Sequence, residues 1–250
     1  MTNMLEVDEA IKTIPELDQI LNQAVKSLKL DRARPTTIIN NFNRLVVDLE
    51  STAFKIYKKY ETKAFEKLAE LWVCNRKDWI SKILKNRGED GVKDIISEFT
   101  KSVREMEFRA GQMRKARGGK TLEYAMKKLL NLANVPCEEP HKETKKALRR
   151  IDLVSPNAKT ALTTPDKAVF IALKRTLRER WKQVVPEHLK GVRLYLVTLN
   201  GKLPEKKAEE IKNAGVIVYV RDELKKEPYL KDKPWVRKLS ELPSDIKNAV

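Results

Sequence analysis

The sequence has few of the side chains on which many protein sites depend. Its 250 residues include only two cysteines and two histidines. Cys74 and Cys137 have neither a CxxC nor a Cys/His spacing, so no zinc site or disulfide framework is indicated, and we expect two reduced thiols. His141 and His188 are too few for a multi-histidine metal site and leave little basis for a histidine triad. Any chemistry must therefore depend on carboxylates and lysine.

Long apolar stretches are also missing. No run approaches the ~20 apolar residues that a transmembrane helix needs. Met1–Glu9 already carries acidic residues, and no apolar region of a secretory signal follows it. We therefore expect a cytoplasmic protein.

Positive charge, in contrast, is abundant. Lysine and arginine number 52 against 35 acidic residues, which gives a formal net charge of +17, and the 41% of hydrophobic residues suffice for a folded core. A surplus of this size indicates a polyanionic partner. DNA, RNA and an acidic membrane surface all remain open at this point.

Helical periodicity dominates the first part of the chain. Apolar residues recur at three- and four-residue steps over Val7–Lys29, and again from Ile39 towards Trp79. Thr36 is the expected N-cap of the second stripe. A further helix is predicted over Val92–Phe108.

Residues 109–120 are the most basic stretch of the chain. They contain no acid and include three glycines, which predicts a flexible basic loop before a helix over Thr121–Ala133. The basic residues are Arg109, Arg114, Lys115, Arg117 and Lys120. Residues 118–121 resemble the end of a P-loop, but Arg114 occupies the position of its first glycine, so no nucleotide cofactor is expected.

Short, apolar, β-branched segments separated by helical patterns characterise the rest of the chain. The predicted strands are Ala147–Val154, Ala168–Lys174, Val192–Leu199 and Val216–Val220. This alternation is typical of an α/β fold. We expect residues 1–108 to form a mainly helical part for DNA binding or dimerisation, packed on an α/β core of residues 109–250.

Carboxylates and a lysine occupy positions in this core where charge is costly. Asp152 lies within the apolar segment Ile151–Val154, and Lys174 ends the next strand. With Glu123 and Glu187 they form a set that suits phosphodiester hydrolysis, because carboxylates hold Mg²⁺ while a lysine positions and helps to deprotonate water. The alternative is a plain salt bridge between Asp152 and Lys174, with both glutamates solvated.

The triplet Arg178-Glu179-Arg180 opens the helical pattern that follows Lys174. Arginine can donate bidentately to guanine and glutamate can accept from cytosine, so the triplet could read a G·C pair beside the cleavage centre. The alternative is a capping box of Thr176 with Glu179, with both arginines solvated.

Taken together, these residues resemble the PD-(D/E)XK restriction endonucleases that cut CC–GG-type sites, the PspGI, SsoII and EcoRII C-terminal group. Residues 114–123 resemble the arginine- and glycine-rich loop that leads to the first active-site glutamate of this group. Asp152 and Lys174 match the motif positions, and Glu187 resembles the displaced acid of this branch. Ala172 stands where the basic motif carries an acid. The resemblance covers residues 109–220.

The resemblance implies a restriction-endonuclease-like core, with a central mixed sheet flanked by helices, in a type II restriction endonuclease of the prokaryotic cytoplasm. It implies Mg²⁺ bound by Asp152, Glu187 and Glu123, with Lys174 as a further catalytic residue. It also implies base recognition by Arg178, Glu179 and Arg180, and DNA backbone or base contacts by Arg114, Lys115, Arg117 and Lys120. The implied partners are double-stranded DNA with a CCWGG, CCNGG or CCGG site and a second copy in a homodimer, with no membrane.

Members of this group flip the central bases of their site out of the helix, which requires a stacking side chain. The candidates are Phe54, Tyr57, Tyr60, Trp72 and Trp79, and each fits a helical core equally well. Two other functions stay open at this stage. One is a non-catalytic, sequence-specific DNA-binding protein, and the other is a PD-(D/E)XK repair nuclease that selects DNA by its structure.

Overall fold

The structure is a computed structural model that describes residues 2–140, 151–177 and 192–250. The chain folds into two compact units. Unit 1 comprises Met1–Ala24 and Ser51–Lys120, and unit 2 comprises Val25–Glu50 and Thr121–Val250. The predicted boundary between residues 108 and 109 stays a prediction.

Unit 1 is built from helices whose apolar residues recur at helical spacing. Its helices are α1 (Thr2–Lys12), most of α2 (Leu17–Ser27), the later part of α4 (Phe42–Cys74) and the first part of α5 (Lys77–Leu132). On α4 the buried apolar stripe includes Tyr57, Ala64, Leu68 and Trp72. The Trp72 ring packs edge-on against Phe99, with 5.2 Å between ring centroids. None of the helices in the described ranges has the length and hydropathy of a membrane span.

The predicted basic loop over residues 109–120 is wrong, because α5 continues through it as a helix. Arg109 donates to Glu105 and Asp8, and Ala110 is fully buried. A glycine in a helix costs only about 1 kcal/mol, which such packing and pairing can offset. The helix therefore does not begin at Thr121, and its one interruption within the described chain is a kink at Gly88, where φ is 51°.

The N-cap predicted at Thr36 is also wrong. Helix α3 (Pro35–Asn40) has Arg34 as its N-cap and Pro35 at its first position. Proline is favoured there because its missing N–H would have no helical partner and its φ already suits a helix.

The described residues of unit 2 form a five-stranded mixed sheet in the order β1-β2-β3-β4-β5. The strands are β1 (Leu153–Ser155), β2 (Val169–Lys174), β3 (Arg193–Thr198), β4 (Ile217–Val220) and β5 (Val236–Lys238). β1 runs antiparallel to β2, and the remaining pairs are parallel. The predicted α/β fold and the positions of β2, β3 and β4 are confirmed. The predicted first strand is confirmed for Leu153 and Val154 but not for Ile151 and Asp152, which precede β1, and its residues 147–150 lie outside the described residues.

Helices of unit 2 pack on this sheet around a core that includes Phe170, Leu196, Val218 and Ile211. The helices that contribute residues to this core are α6 (Ala158–Thr163), α7 (Glu205–Asn213), α8 (Asp222–Lys225) and α9 (Pro228–Lys231). Unit 2 also contains α3, the start of α4, the end of α5 and α10 (Leu242–Ala249). α7 forms the crossover between the parallel strands β3 and β4, which such a pair requires.

The register of the parallel strands defines one edge of the sheet. Lys174 pairs with Thr198, and Val197 pairs with Tyr219, so the carboxyl ends of β2, β3 and β4 lie together. Sites in sheets of this type lie at that edge, because the loops that follow the strands converge there. Lys174, the last residue of β2, lies at this edge.

Candidate active site

Asp152 and Lys174 are in direct contact in unit 2. The backbone N–H of Asp152 donates to the carbonyl of Ile171 at 2.9 Å, which fixes Asp152 against β2 just before β1 begins. Its Oδ2 atom accepts from the backbone N–H of Leu173 at 2.6 Å and from Nζ of Lys174 at 3.0 Å. The Asp152 side chain is only 16% exposed and that of Lys174 27%. Two donors on one oxygen compensate for the removal of this carboxylate from water.

The sequence around the pair explains its geometry. The antiparallel register pairs Leu153 with Ile171, so the residue before β1 lies beside the end of β2. Ala172 is completely buried in the core of the sheet, so an acid at that position would also be buried. This contact is the one expected both for a structural salt bridge and for a catalytic aspartate and lysine.

The other two predicted carboxylates are less closely described. Glu123 lies within α5 rather than at the start of a helix. It is half-buried, and Leu122 and Met126 on the same helix are buried. Glu187 lies outside the described residues. Within the ranges that the structure describes, no group of three or more acidic, histidine or cysteine side chains could hold a metal ion. The metal-binding roles of Asp152, Glu123 and Glu187 therefore stay predictions.

The predicted base-reading triplet, Arg178, Glu179 and Arg180, also lies outside the described residues. The segment that leads to it from Lys174 is described as far as residue 177. There Arg175 forms an ion pair with Glu50 of α4, a residue that the sequence pattern does not identify. Nothing in the sequence could reveal this pair, because its members are 125 residues apart and each lies in an ordinary charged context.

The predicted DNA-contacting residues 114–120 lie on one helix of unit 1. Arg114 donates to Glu61 at 2.5 Å and also to Glu107, and hydrogen bonds to Glu107 and then Glu61 raise the pKa of its guanidinium. The guanidinium of Arg117 lies 5.3 Å from the centroid of the Tyr57 ring, a cation–π geometry. Lys115 and Lys120 are exposed. DNA would therefore have to compete with carboxylates for Arg114, while both lysines are open to solvent.

The aromatic candidates for base stacking differ in exposure. Trp72 is 1% exposed and Tyr57 6%, so both belong to the core of unit 1. Tyr57 donates its hydroxyl to Glu61 at 3.0 Å; burial, and after it this hydrogen bond, raises the pKa of Tyr57 to about 12. Tyr60 is half-buried and hydrogen-bonds to Gln23, and Trp79 is 36% exposed. Phe54 is 58% exposed on α4, which makes its ring the most open of the five.

Comparison with known proteins decides the family. The family model described as EcoRII C terminal matches residues 77–242, which include the Asp152–Lys174 pair. The chain belongs to the EcoRII C-terminal family. It is 23% identical over 211 residues to the type II restriction enzyme SsoII of Shigella sonnei, a match that covers 81% of this chain and 67% of SsoII. The predicted group and enzyme class, a type II site-specific deoxyribonuclease, are confirmed.

Two solved structures share the fold of this chain. Metal-depleted Ecl18kI in complex with uncleaved, modified DNA superposes with a TM-score of 0.75 at 19% identity, over 99% of this chain and 83% of Ecl18kI. The complex of PspGI with substrate DNA superposes with a TM-score of 0.63 at 22% identity, over 96% of this chain and 94% of PspGI. These likenesses confirm the predicted restriction-endonuclease-like fold with its mixed sheet.

Proposed function

We propose that this member of the EcoRII C-terminal family makes Mg²⁺-dependent double-strand cuts in DNA at a short CC–GG-type site, CCWGG, CCNGG or CCGG, and acts as a homodimer. The observation that carries the proposal is the contact between Asp152 and Lys174 at the carboxyl end of β2. Carboxylate and ammonium meet at the sheet edge where a substrate can approach. Two-fold symmetry of the protein would match the symmetry of the site.

The chemistry of the available donors fits Mg²⁺. This ion prefers carboxylate oxygens and retains several waters. Both hydrogen bonds described for the Asp152 carboxylate go to Oδ2, so within the described residues Oδ1 remains for a metal ion. Asp152 and Glu187 would hold the ion, with Glu123 as an additional carboxylate. When bound, the ion supplies Lewis acidity that lowers the pKa of water and neutralises charge on the phosphate.

Lys174 has a separate role in this proposal. Its ammonium group is held by Asp152 rather than by solvent, so its position is set before DNA binds. There it would orient the attacking water and stabilise the negative charge that develops on the scissile phosphate. Preorganised charge of this kind needs little rearrangement during the reaction.

Substitution of the pair tests the proposal. With Mg²⁺ and a supercoiled plasmid, Asp152→Ala and Lys174→Ala are each expected to reduce the cleavage rate by about 1,000-fold or more, because either change removes a group that acts in the transition state. Gel-shift measurement without metal should show that both variants still bind DNA. Asp166→Ala and Lys167→Ala, which change exposed residues just before β2, are matched controls and should cut normally. Near wild-type cutting by Asp152→Ala would refute the assignment.

Sequence recognition is proposed for Arg178, Glu179 and Arg180, which would contact G·C edges in the major groove. Flipping of the central bases is proposed with a stacking aromatic residue, for which Phe54 is the most exposed candidate. Tyr57, Tyr60, Trp72 and Trp79 remain weaker candidates.

A fluorescent base tests the flipping. 2-Aminopurine at the centre of the site is expected to brighten when the protein binds without metal, because an extruded base loses the stacking that quenches it. Phe54→Ala should change this signal, whereas Phe42→Leu, a conservative change at a fully buried position, should preserve it. Unchanged fluorescence at saturating protein would count against base flipping.

A further inference from the structure

The residues that follow Lys174 are held by contacts from two helices of unit 2. Arg175 forms an ion pair with Glu50 on α4. The backbone carbonyl of Leu177 accepts from Nζ of Lys207 on α7 at 2.6 Å, and the Leu177 side chain is 4% exposed in the core of the sheet. Neither helix supplies a proposed metal ligand or the catalytic lysine, so these contacts are separate from the chemistry.

The burial of Glu50 marks its contact as more than a surface ion pair. The Glu50 side chain is 10% exposed, whereas that of Arg175 is 47% exposed. Burial raises the pKa of Glu50, and the charge of Arg175 opposes that rise. A carboxylate withdrawn from water in this way needs its partner, so Arg175 is held firmly in place.

We propose that Glu50 and Lys207 are positioning residues that couple recognition of the DNA sequence to its cleavage. The inference rests on the proposed function, in which Lys174 acts on the phosphate and Arg178 begins the base-reading triplet. Three residues lie between these two positions, so their Cα atoms, four steps apart, are separated by at most about 14 Å of extended chain. The chain is anchored by Asp152 at residue 174, by Glu50 at residue 175 and by Lys207 at residue 177. These anchors leave the backbone little freedom to move between the catalytic lysine and the base-reading triplet.

Coupling of this kind has a specific kinetic consequence. A correct base pair would seat the triplet, and the anchored segment would then hold Lys174 in register with the scissile phosphate. Without an anchor, the triplet could bind while the lysine stays misplaced. Misplacement of a catalytic group by about 1 Å can cost on the order of 100-fold in rate. The loss of rate falls mainly on the cognate site, because correct placement of Lys174 contributes most there.

The experiment compares cleavage of two duplexes by Glu50 variants. One duplex carries the cognate site, and the other has one outer G·C pair replaced. Glu50→Ala is expected to lower the cognate-to-altered ratio of kcat/KM by about tenfold or more. Glu50→Gln keeps an oxygen that can accept from Arg175, so its cognate-to-altered ratio should lie between those of wild type and Glu50→Ala. The double variant Arg175→Ala, Glu50→Ala should have a cognate-to-altered ratio no lower than that of the poorer single variant, because the two residues act as one unit.

A matched control separates positioning from a loss of stability. Asp245 is a carboxylate of similar burial, 15% exposed, that pairs with Arg237 at 3.1 Å and accepts from Tyr219 at 2.8 Å. Asp245→Asn is expected to lower Tm but to leave the cognate-to-altered ratio unchanged. Equal changes of the ratio in Glu50→Ala and Asp245→Asn would overturn the inference.

Lys207 offers an independent variant if Glu50→Ala fails to fold. Lys207→Met removes the bond to Leu177 and should lower the ratio, whereas Lys206→Met, an exposed change on the same helix, should not. Wild-type protein that cuts no DNA with Mg²⁺ would refute the proposed function itself. Wild-type protein that cuts specifically, together with Glu50→Gln and Lys207→Met variants that keep the wild-type ratio, would refute only the coupling.

Discussion

Cys137 shows how strongly the surroundings change one residue type in this chain. Its thiol is buried, with Sγ 3.8 Å from the carbonyl oxygen of Lys127 and 3.8 Å from Oδ1 of Asn131. Burial above all raises its pKa to about 12, although the charge of Lys127 opposes the rise. Cys74 has an exposed thiol. A thiolate is the reactive form of cysteine, so the two should differ sharply in reactivity.

The raised pKa predicts a loss of stability at alkaline pH. Above pH 9 the unfolded chain ionises this thiol, while the folded chain keeps the proton up to about pH 12. The folded state then binds more protons, so the free energy of unfolding falls as the pH rises, by at most about 1.4 kcal/mol per pH unit. Urea unfolding between pH 8 and 10.5 should show a shallower decline for Cys137→Ala than for wild type. Cys74→Ala is the control, and an identical decline in all three proteins would contradict the prediction.

At the scale of elements, the sequence predicts those whose pattern is local. β2 is predicted from its run of five apolar residues. The structure buries all five, on both faces, as in other strands inside a sheet. The same pattern predicts Asp152 within the first strand, but it lies just before β1, where its backbone N–H still bonds to Ile171 of β2. β5 is not predicted, because it has three residues and two of them are charged.

The elements and contacts that sequence reasoning misses depend on distant partners. Residues 109–120 have the composition of a loop, but they are helical because Arg109 pairs with Asp8 and Arg114 with Glu61. These partners lie 101 and 53 residues away in the chain. The contact of Glu50 with Arg175 escapes prediction for the same reason.

Replacement of glycines tests whether this stretch is a helix. Gly118→Ala and Gly119→Ala should each raise the free energy of unfolding by about 0.5–1 kcal/mol, because alanine is the better helix former. An added Cβ meets nothing within 4 Å at either position. Gly91→Ala is the opposing control, because its Cβ would lie 2.8 Å from the carbonyl oxygen of Ile83. Thermal denaturation measures all three, and destabilisation by Gly118→Ala and Gly119→Ala would favour a loop.

At the scale of the whole molecule, the net charge of +17 governs how binding responds to salt. Much of this charge is carried by exposed lysines, and an exposed charge contributes to DNA affinity only where it meets a phosphate. Each phosphate contact releases about one counterion, so the slope of log affinity against log salt counts such contacts.

The exposed pair Lys115 and Lys120 provides the test. Their combined replacement by alanine should reduce the steepness of the salt slope by about 2 and weaken binding to every sequence alike. Lys82 and Lys85 are exposed on the same helix α5, and their double alanine variant is the matched control. Fluorescence anisotropy over a series of NaCl concentrations gives both slopes. Equal slopes for the two double variants would mean that Lys115 and Lys120 contact no phosphate.

Because β2, β3 and β4 run in the same direction, the end of the sheet opposite Lys174 is suited to attachment of a probe. Asn213 is the exposed last residue of α7, and β4 begins at Ile217 after the turn at Gly215. That turn precedes β4, so the length of the strand, about 10 Å, separates it from the edge that carries Lys174. A fluorophore on Asn213→Cys, in a Cys74→Ser background, would therefore report how many copies occupy one DNA molecule without obstructing cleavage.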